Sequence, residues 1–157
     1  MLPGSRSEVR ALQDAERSLL ASGRFFGKLD AAQLGRLAGL GRVLAFPQDT
    51  RIYTIGDEVD DFYVLAEGTV RFTLGLGKRE TAAGDIIRRG EVFGWAAIVE
   101  GYSRRIATAY CLTACEVVAL DGARLRAFMD ADPLAGYLIM KQLAVLLTSE
   151  LTAFAAG

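Results

Sequence analysis

Residues 61–74 read DFYVLAEGTVRFTL. Phe62, Tyr63, Val64 and Leu65 make a short β-forming run that stops at the Glu67-Gly68 turn. Val70, Phe72 and Leu74 then alternate with Arg71 and Thr73, the two-residue period of a half-buried strand, and Leu76 and Gly77 continue it. The same grammar extends in both directions. Upstream lie RVLAF (42–46) before Pro47 and RIYTI (51–55) before Gly56-Asp57. Downstream come Asp85 to Arg88, Ile106 to Leu112 and Cys115 to Leu120. Many short strands between closely spaced turns predict an antiparallel sandwich or jelly roll. No crossover helices separate them, which disfavours a parallel α/β sheet.

Helical patterns flank this region. Ser7 to Ser22 has no Pro or Gly, sets Val9, Leu12, Leu19 and Leu20 amid charge, and predicts a surface helix with Ser7 as its cap. A second helix is expected after Asp30, with Leu34, Leu37 and Leu40 spaced by three and Gly41 as its stop. Gly122 to Met129 reads as a short helix, and Asp132-Pro133 as a cap followed by proline at the first helical position. From Leu134 to Phe154 only Lys141 and Glu150 are charged, so this helix offers more apolar surface than one small barrel can cover. The predicted class is mainly β with flanking helices. N-terminal helices fill 1–42, an antiparallel β jelly-roll (double-stranded β-helix) fills 43–120, and C-terminal helices fill 121–157, with a dimerisation helix at about 133–155.

Composition narrows the chemistry. The chain has 157 residues, enough for one domain with a proper core. Eighteen basic and nineteen acidic residues give a net charge of -1, so nothing electrostatic points to nucleic acid or an anionic membrane. There is no histidine. Ser-His and Cys-His nucleophile pairs and His-dependent metal sites are thereby removed, including the metal site of a cupin-like enzyme. No catalytic residue, metal or cofactor is nominated, and the chain is read as a non-enzyme. Cys111 and Cys115 cannot form a disulfide if they share one strand, where four residues span roughly 13 Å against the 7 Å or so that a disulfide allows. They read as small apolar residues of a reducing cytoplasm. The opening MLPGSRSEVR lacks the apolar core of a signal peptide. Leu134 to Leu147 is too short to span a membrane and carries Lys141, so a cytoplasmic protein with no membrane partner is expected.

Several motifs in fixed order carry a family resemblance: Ile55-Gly56-Asp57, then Asp61 to Leu65, then Glu67-Gly68-Thr69-Val70. Gly90-Glu91-Val92-Phe93-Gly94, Arg105-Ile106-Ala107-Thr108 and Thr113-Ala114-Cys115-Glu116-Val117 follow. Over roughly Phe25 to Thr152 the chain resembles the cyclic nucleotide-binding domain of the catabolite-activator and kinase-regulatory-subunit superfamily. The resemblance implies that Gly90 to Thr108 is a phosphate-binding cassette, with Phe93, Gly94, Trp95, Ala96, Ala97, Arg105 and Ile106 at the ligand.

The residues support that chemistry without the family. Gly94 has no side chain to hold a ligand away from the backbone amides where the short apolar helix AAIV (96–99) begins. Arg105 supplies a fixed positive charge with a planar fork of donors. In extended chain Arg104 points to the opposite face, so only one of the two enters the pocket. A solvated Arg105 is the competing reading. Two positions depart from the family pattern. Trp95 stands where nucleotide-binding members have the glutamate that reads the ribose 2′-hydroxyl, and Ile106 stands where a serine or threonine often adds a phosphate contact. Trp95 either fills the ribose space or touches a ligand. Thr148 and Ser149 lie near where the family sends hydroxyls to the base, without a clear register.

The resulting expectation is a stand-alone ligand-sensing regulatory module with a degenerate pocket. It would take a small anionic, phosphate-containing or nucleotide-like ligand rather than cyclic AMP, and pair through its last helix as a homodimer. The alternative is a vestigial pocket on a dimerisation or protein-interaction scaffold. Transcription factors of the superfamily continue into a helix-turn-helix; the sequence ends at Gly157, so direct nucleic-acid binding is not expected.

Overall fold

A computed structural model describes residues 7–75 and 79–156. Leu76 and Gly77, the last alternating positions, lie outside the described residues, as do Lys78 and residues 1–6. The strands are β1 (Ser7–Arg10), β2 (Gly41–Phe46), β3 (Arg51–Tyr53), β4 (Asp61–Glu67), β5 (Val70–Leu74), β6 (Thr81–Ile87), β7 (Val92–Phe93), β8 (Thr108–Cys111) and β9 (Cys115–Asp121). They form two antiparallel sheets, ordered β1-β2-β9-β4-β7 and β3-β8-β5-β6. Helices α1 (Asp14–Ser22), α2 (Ala31–Ala38), α3 (Gly122–Ala131) and α4 (Pro133–Ala156) flank them. This is the jelly-roll class that the turn-punctuated strands predict.

The run DFYVL does not alternate because both faces of β4 are covered. Phe62 and Val64 pack toward the helices, while Tyr63 and Leu65 enter the core between the sheets. β9 behaves alike, with Val118 and Leu120 on the helix side and Val117 and Ala119 between the sheets. Glycine is required at the β4–β5 turn: Gly68 has φ 94°, and a Cβ there would stand 2.4 Å from the Ala114 carbonyl oxygen.

Four expectations about elements are corrected. Ser7 to Arg10 is an edge strand on β2 rather than the start of a helix. The helix starts at Asp14, where Gln13 and Glu16 form a reciprocal capping box that Ser7 cannot offer. α2 is capped by Asp30 as expected but ends at Gly39, because Gly41 already pairs with Leu120 as the first residue of β2. The strand expected at Asp85 to Arg88 runs instead from Thr81 to Ile87, paired along β5. Cys111 and Cys115 do not share a strand. They sit in β8 and β9, one in each sheet, as buried free thiols, so the separation that forbids a disulfide within one strand does not apply. Hydrogen bonding with Cys115 and burial both push the Cys111 thiol upward.

Asp132 caps α4 by accepting from the Ala135 N–H at 3.1 Å, with Pro133 at the first helical position. Ala135, Ile139 and Leu143 face the core, while Leu134, Tyr137, Val145 and Leu151 remain exposed. The helix is longer than the Leu134–Leu147 stretch, and Pro133–Leu151 is long and apolar enough to cross a membrane by length and composition.

Candidate functional site

The cassette hangs between β7 and β8. Gly94 adopts φ 78°, which turns the chain from β7 into a 3-10 turn over Trp95–Ile98, a tighter form of the expected helix. On the far side, Gly56 N–H donates to the Arg105 carbonyl and Arg105 N–H to the Asp57 carbonyl, each at 2.8 Å. That pairing holds residues 104 and 105 extended. Arg104 is therefore exposed and reaches the Gly56 carbonyl, whereas Arg105 is only 3% exposed. The solvated reading of Arg105 is overturned.

Arg105 is held by three oxygens and two rings. Its guanidinium donates to the Gly94 carbonyl at 3.2 Å, the Asp60 carboxylate at 3.0 Å and the Asp61 carbonyl at 2.6 Å. It lies 4.1 Å from the centroid of Tyr53 and 5.7 Å from that of Tyr63. Its Nε is buried and has no hydrogen-bond partner. Burial pushes both phenols above their ordinary range, and the guanidinium opposes this to a lesser degree. Asp60, which composition and motif left unremarked, keeps a side chain 54% exposed.

Beside this group is a cavity of about 390 Å³. Gly94, Trp95, Ala96, Arg105 and Ile106 line it, so five of the seven nominated residues converge. Phe93 does not. It is buried between the sheets, stacked 5.0 Å from Tyr63. Ala97 is fully buried beneath the turn, close against Gly122. Ile106 is 49% exposed and brings no hydroxyl. Trp95 meets Tyr102 edge-on with centroids 5.4 Å apart and lines the cavity together with Glu150 of α4. Desolvation raises the Glu150 carboxyl above its ordinary range, with the Trp95 indole pulling the other way.

Sequence reasoning missed the remaining walls: Tyr53 of β3, Phe72 and Leu74 of β5, the β6 segment 83–87, and Leu146 and Glu150 of α4. Only their apolar spacing was visible, and that signals core as readily as pocket. Ser149 lines the cavity, whereas Thr148 turns its hydroxyl back to the Ala144 carbonyl. Glu91 also lines it, but one of its oxygens closes a turn on the Arg88 N–H.

Comparison with known proteins agrees with this architecture. A family model for the cyclic nucleotide-binding domain matches residues 43–132. No curated protein matches the sequence. Among solved structures, a protein from Geobacter metallireducens GS-15 assigned to cyclic nucleotide binding superposes with a TM-score of 0.75 at 24% identity, over 89% of this chain and 99% of that one. The sensor domain of the transcriptional regulator DNR from Pseudomonas aeruginosa gives 0.73 at 16% identity, over 87% and 91%. The catabolite activator protein of Thermus thermophilus gives 0.68 at 25%, over 80% of this chain and 58% of that one.

Proposed function

The chain belongs to the cyclic nucleotide-binding domain family, and from that premise we propose that it is a cytoplasmic ligand-sensing module that takes an anionic or phosphate-bearing ligand at Arg105. Cyclic AMP in the pose set by a ribose-reading glutamate is not that ligand, because Trp95 occupies the position. The observation that carries the reading is a buried guanidinium on the wall of the cavity with its Nε still unpartnered. Its one carboxylate partner does not preclude a ligand. Asp60 keeps a side chain 54% exposed, so when an anion takes its place at the guanidinium its carboxylate turns into water instead of staying buried and unpaired. Leu146 and Glu150 place α4 against the ligand, and the exposed face of α4 pairs with a second copy, so binding is communicated along the dimer helix.

A second reading rests on the same ion pair: Arg105 is satisfied internally and the domain is a dimerisation scaffold. Calorimetric titration with cyclic AMP, cyclic GMP, inorganic phosphate and other small anions separates the two. Binding that is lost in Arg105→Gln supports the sensor; absence of heat with every anion supports the scaffold.

A further inference from the structure

We infer that the ligand is a singly charged carboxylate on a compact apolar body without sugar hydroxyls, which rests on the reading of Arg105 as the anion site. Three features of the cavity lead there. The first is charge. Among the described residues Arg105 is the single basic one lining the cavity, against Asp85, Glu91 and Glu150, and it already faces Asp60. A doubly charged phosphate monoester would bring a second negative charge with no second cation to meet it, whereas one carboxylate replaces Asp60 charge for charge.

The second is donor supply. Three of the guanidinium contacts go to protein oxygens, and Nε is the nitrogen left over. Release of Asp60 frees one more N–H, enough for the two oxygens of a carboxylate. The third is the body of the cavity. Phe72, Leu74, Ile87, Ile106, Ala107 and Leu146 form apolar walls from β5, β6, the cassette and α4, with the Trp95 ring on one side. Sugar hydroxyls would meet mostly carbon, since the polar side chains on the walls besides Arg105 and the Tyr53 and Trp95 rings are Asp85, Glu91, Ser149 and Glu150, and one oxygen of Glu91 is already taken by the Arg88 amide. Unsatisfied buried hydroxyls oppose binding, whereas methylene and ring carbons favour it. The volume of about 390 Å³ suits a small organic acid.

Trp95 is the only tryptophan, so its fluorescence reports the cavity directly. The full chain is titrated with 4-propylbenzoate, with the neutral 4-propylbenzamide and with inorganic phosphate. Ala107→Leu, which fills the apolar part and leaves Arg105 untouched, is measured in parallel. The expected result is that the benzoate binds at least tenfold more tightly than either control and loses at least tenfold in Ala107→Leu, while any phosphate response is unchanged. Phosphate binding as tightly as the benzoate, with no effect of Ala107→Leu, overturns this inference and leaves the anion reading standing. Equal binding of amide and benzoate, or no response to any of the three, overturns both.

Discussion

Gly94 both accepts a hydrogen bond from Arg105 through its carbonyl, at 3.2 Å, and leaves room for it: a Cβ on Gly94 would stand 3.1 Å from the same Arg105 nitrogen. The Tyr63 ring, at 3.0 Å, and the Asp61 carbonyl, at 3.3 Å, close the other sides. The turn into the cassette and the position of the cation are therefore one structural decision.

Gly94→Ala tests that decision. With φ at 78° the alanine carries a left-handed cost of about 1–2 kcal/mol, and its methyl pushes on Arg105. Urea unfolding is expected to show a loss of at least that size. Any anion affinity falls with it, more than in Gly101→Ala, which has a similar positive φ of 93° but open space around it.

Acid stability turns on Glu16. The Arg10 guanidinium, at 2.6 Å, holds its carboxyl below the ordinary range, with further help from the Gln13 N–H. A carboxyl lowered in the folded state stabilises above its unfolded value near 4.5, and that contribution disappears as the pH falls through the lower folded value. Glu16→Gln is therefore expected to be less stable than wild type at pH 7, with the gap closing toward pH 3. Thermal melts across that range check it; a gap independent of pH would mean that the charge contributes nothing.

The fold was legible because β4 and β5 state it locally: an apolar run, a glycine turn, then strict alternation. Arg105 was legible through the resemblance of Arg105-Ile106-Ala107-Thr108 to the family's cassette, and extended backbone at 104–105 then sends Arg104 to the opposite face. The N-terminal edge strand was not. Val9, the one apolar residue of Ser7 to Arg10, is 63% exposed and so gives no core signal, and the strand's pairing with β2 depends on residues more than thirty positions away. Phe93 was misplaced for the opposite reason. An aromatic residue beside a binding glycine reads as pocket, but β7 pairs Phe93 with Tyr63 and turns it into the core. Asp60 gave no signal, because a half-exposed aspartate in a loop looks like any solvated charge.

The α4 face is the expected dimer contact. Leu134, at 61% exposed, Tyr137, at 60%, Val145, at 52%, and Leu151, at 72%, together leave an apolar surface open along the helix. Two-fold pairing of this face covers it with its own copy. Light scattering is expected to give twice the chain mass at micromolar concentration, and Tyr137→Glu with Val145→Glu to give the monomer without unfolding it, since neither side chain is in the core. A wild-type monomer at high concentration would count decisively against the pairing.

Cyclic AMP and cyclic GMP are expected to bind weakly or not at all. The family glutamate accepts a charge-assisted hydrogen bond worth about 1.5–3 kcal/mol, and at about 1.4 kcal/mol per decade its loss weakens binding ten- to a hundredfold. Trp95 supplies one N–H donor and no acceptor, so the indole cannot take the hydrogen bond that a ribose hydroxyl gives to the family glutamate. A hydroxyl buried there without a partner adds a further cost of about 1–3 kcal/mol, and Ile106 adds none of the phosphate contact that a serine or threonine gives. Trp95→Glu reverses the first two effects together: it restores an acceptor and removes the ring. It also places a carboxylate beside Glu150, so the informative variant is Trp95→Glu combined with Glu150→Gln. Calorimetry is expected to show a gain of at least tenfold for cyclic AMP in that double variant over wild type. Tight wild-type binding, well below micromolar, would sink the idea. No gain in the double variant would mean that the pocket walls, rather than the missing carboxylate, exclude the nucleotide.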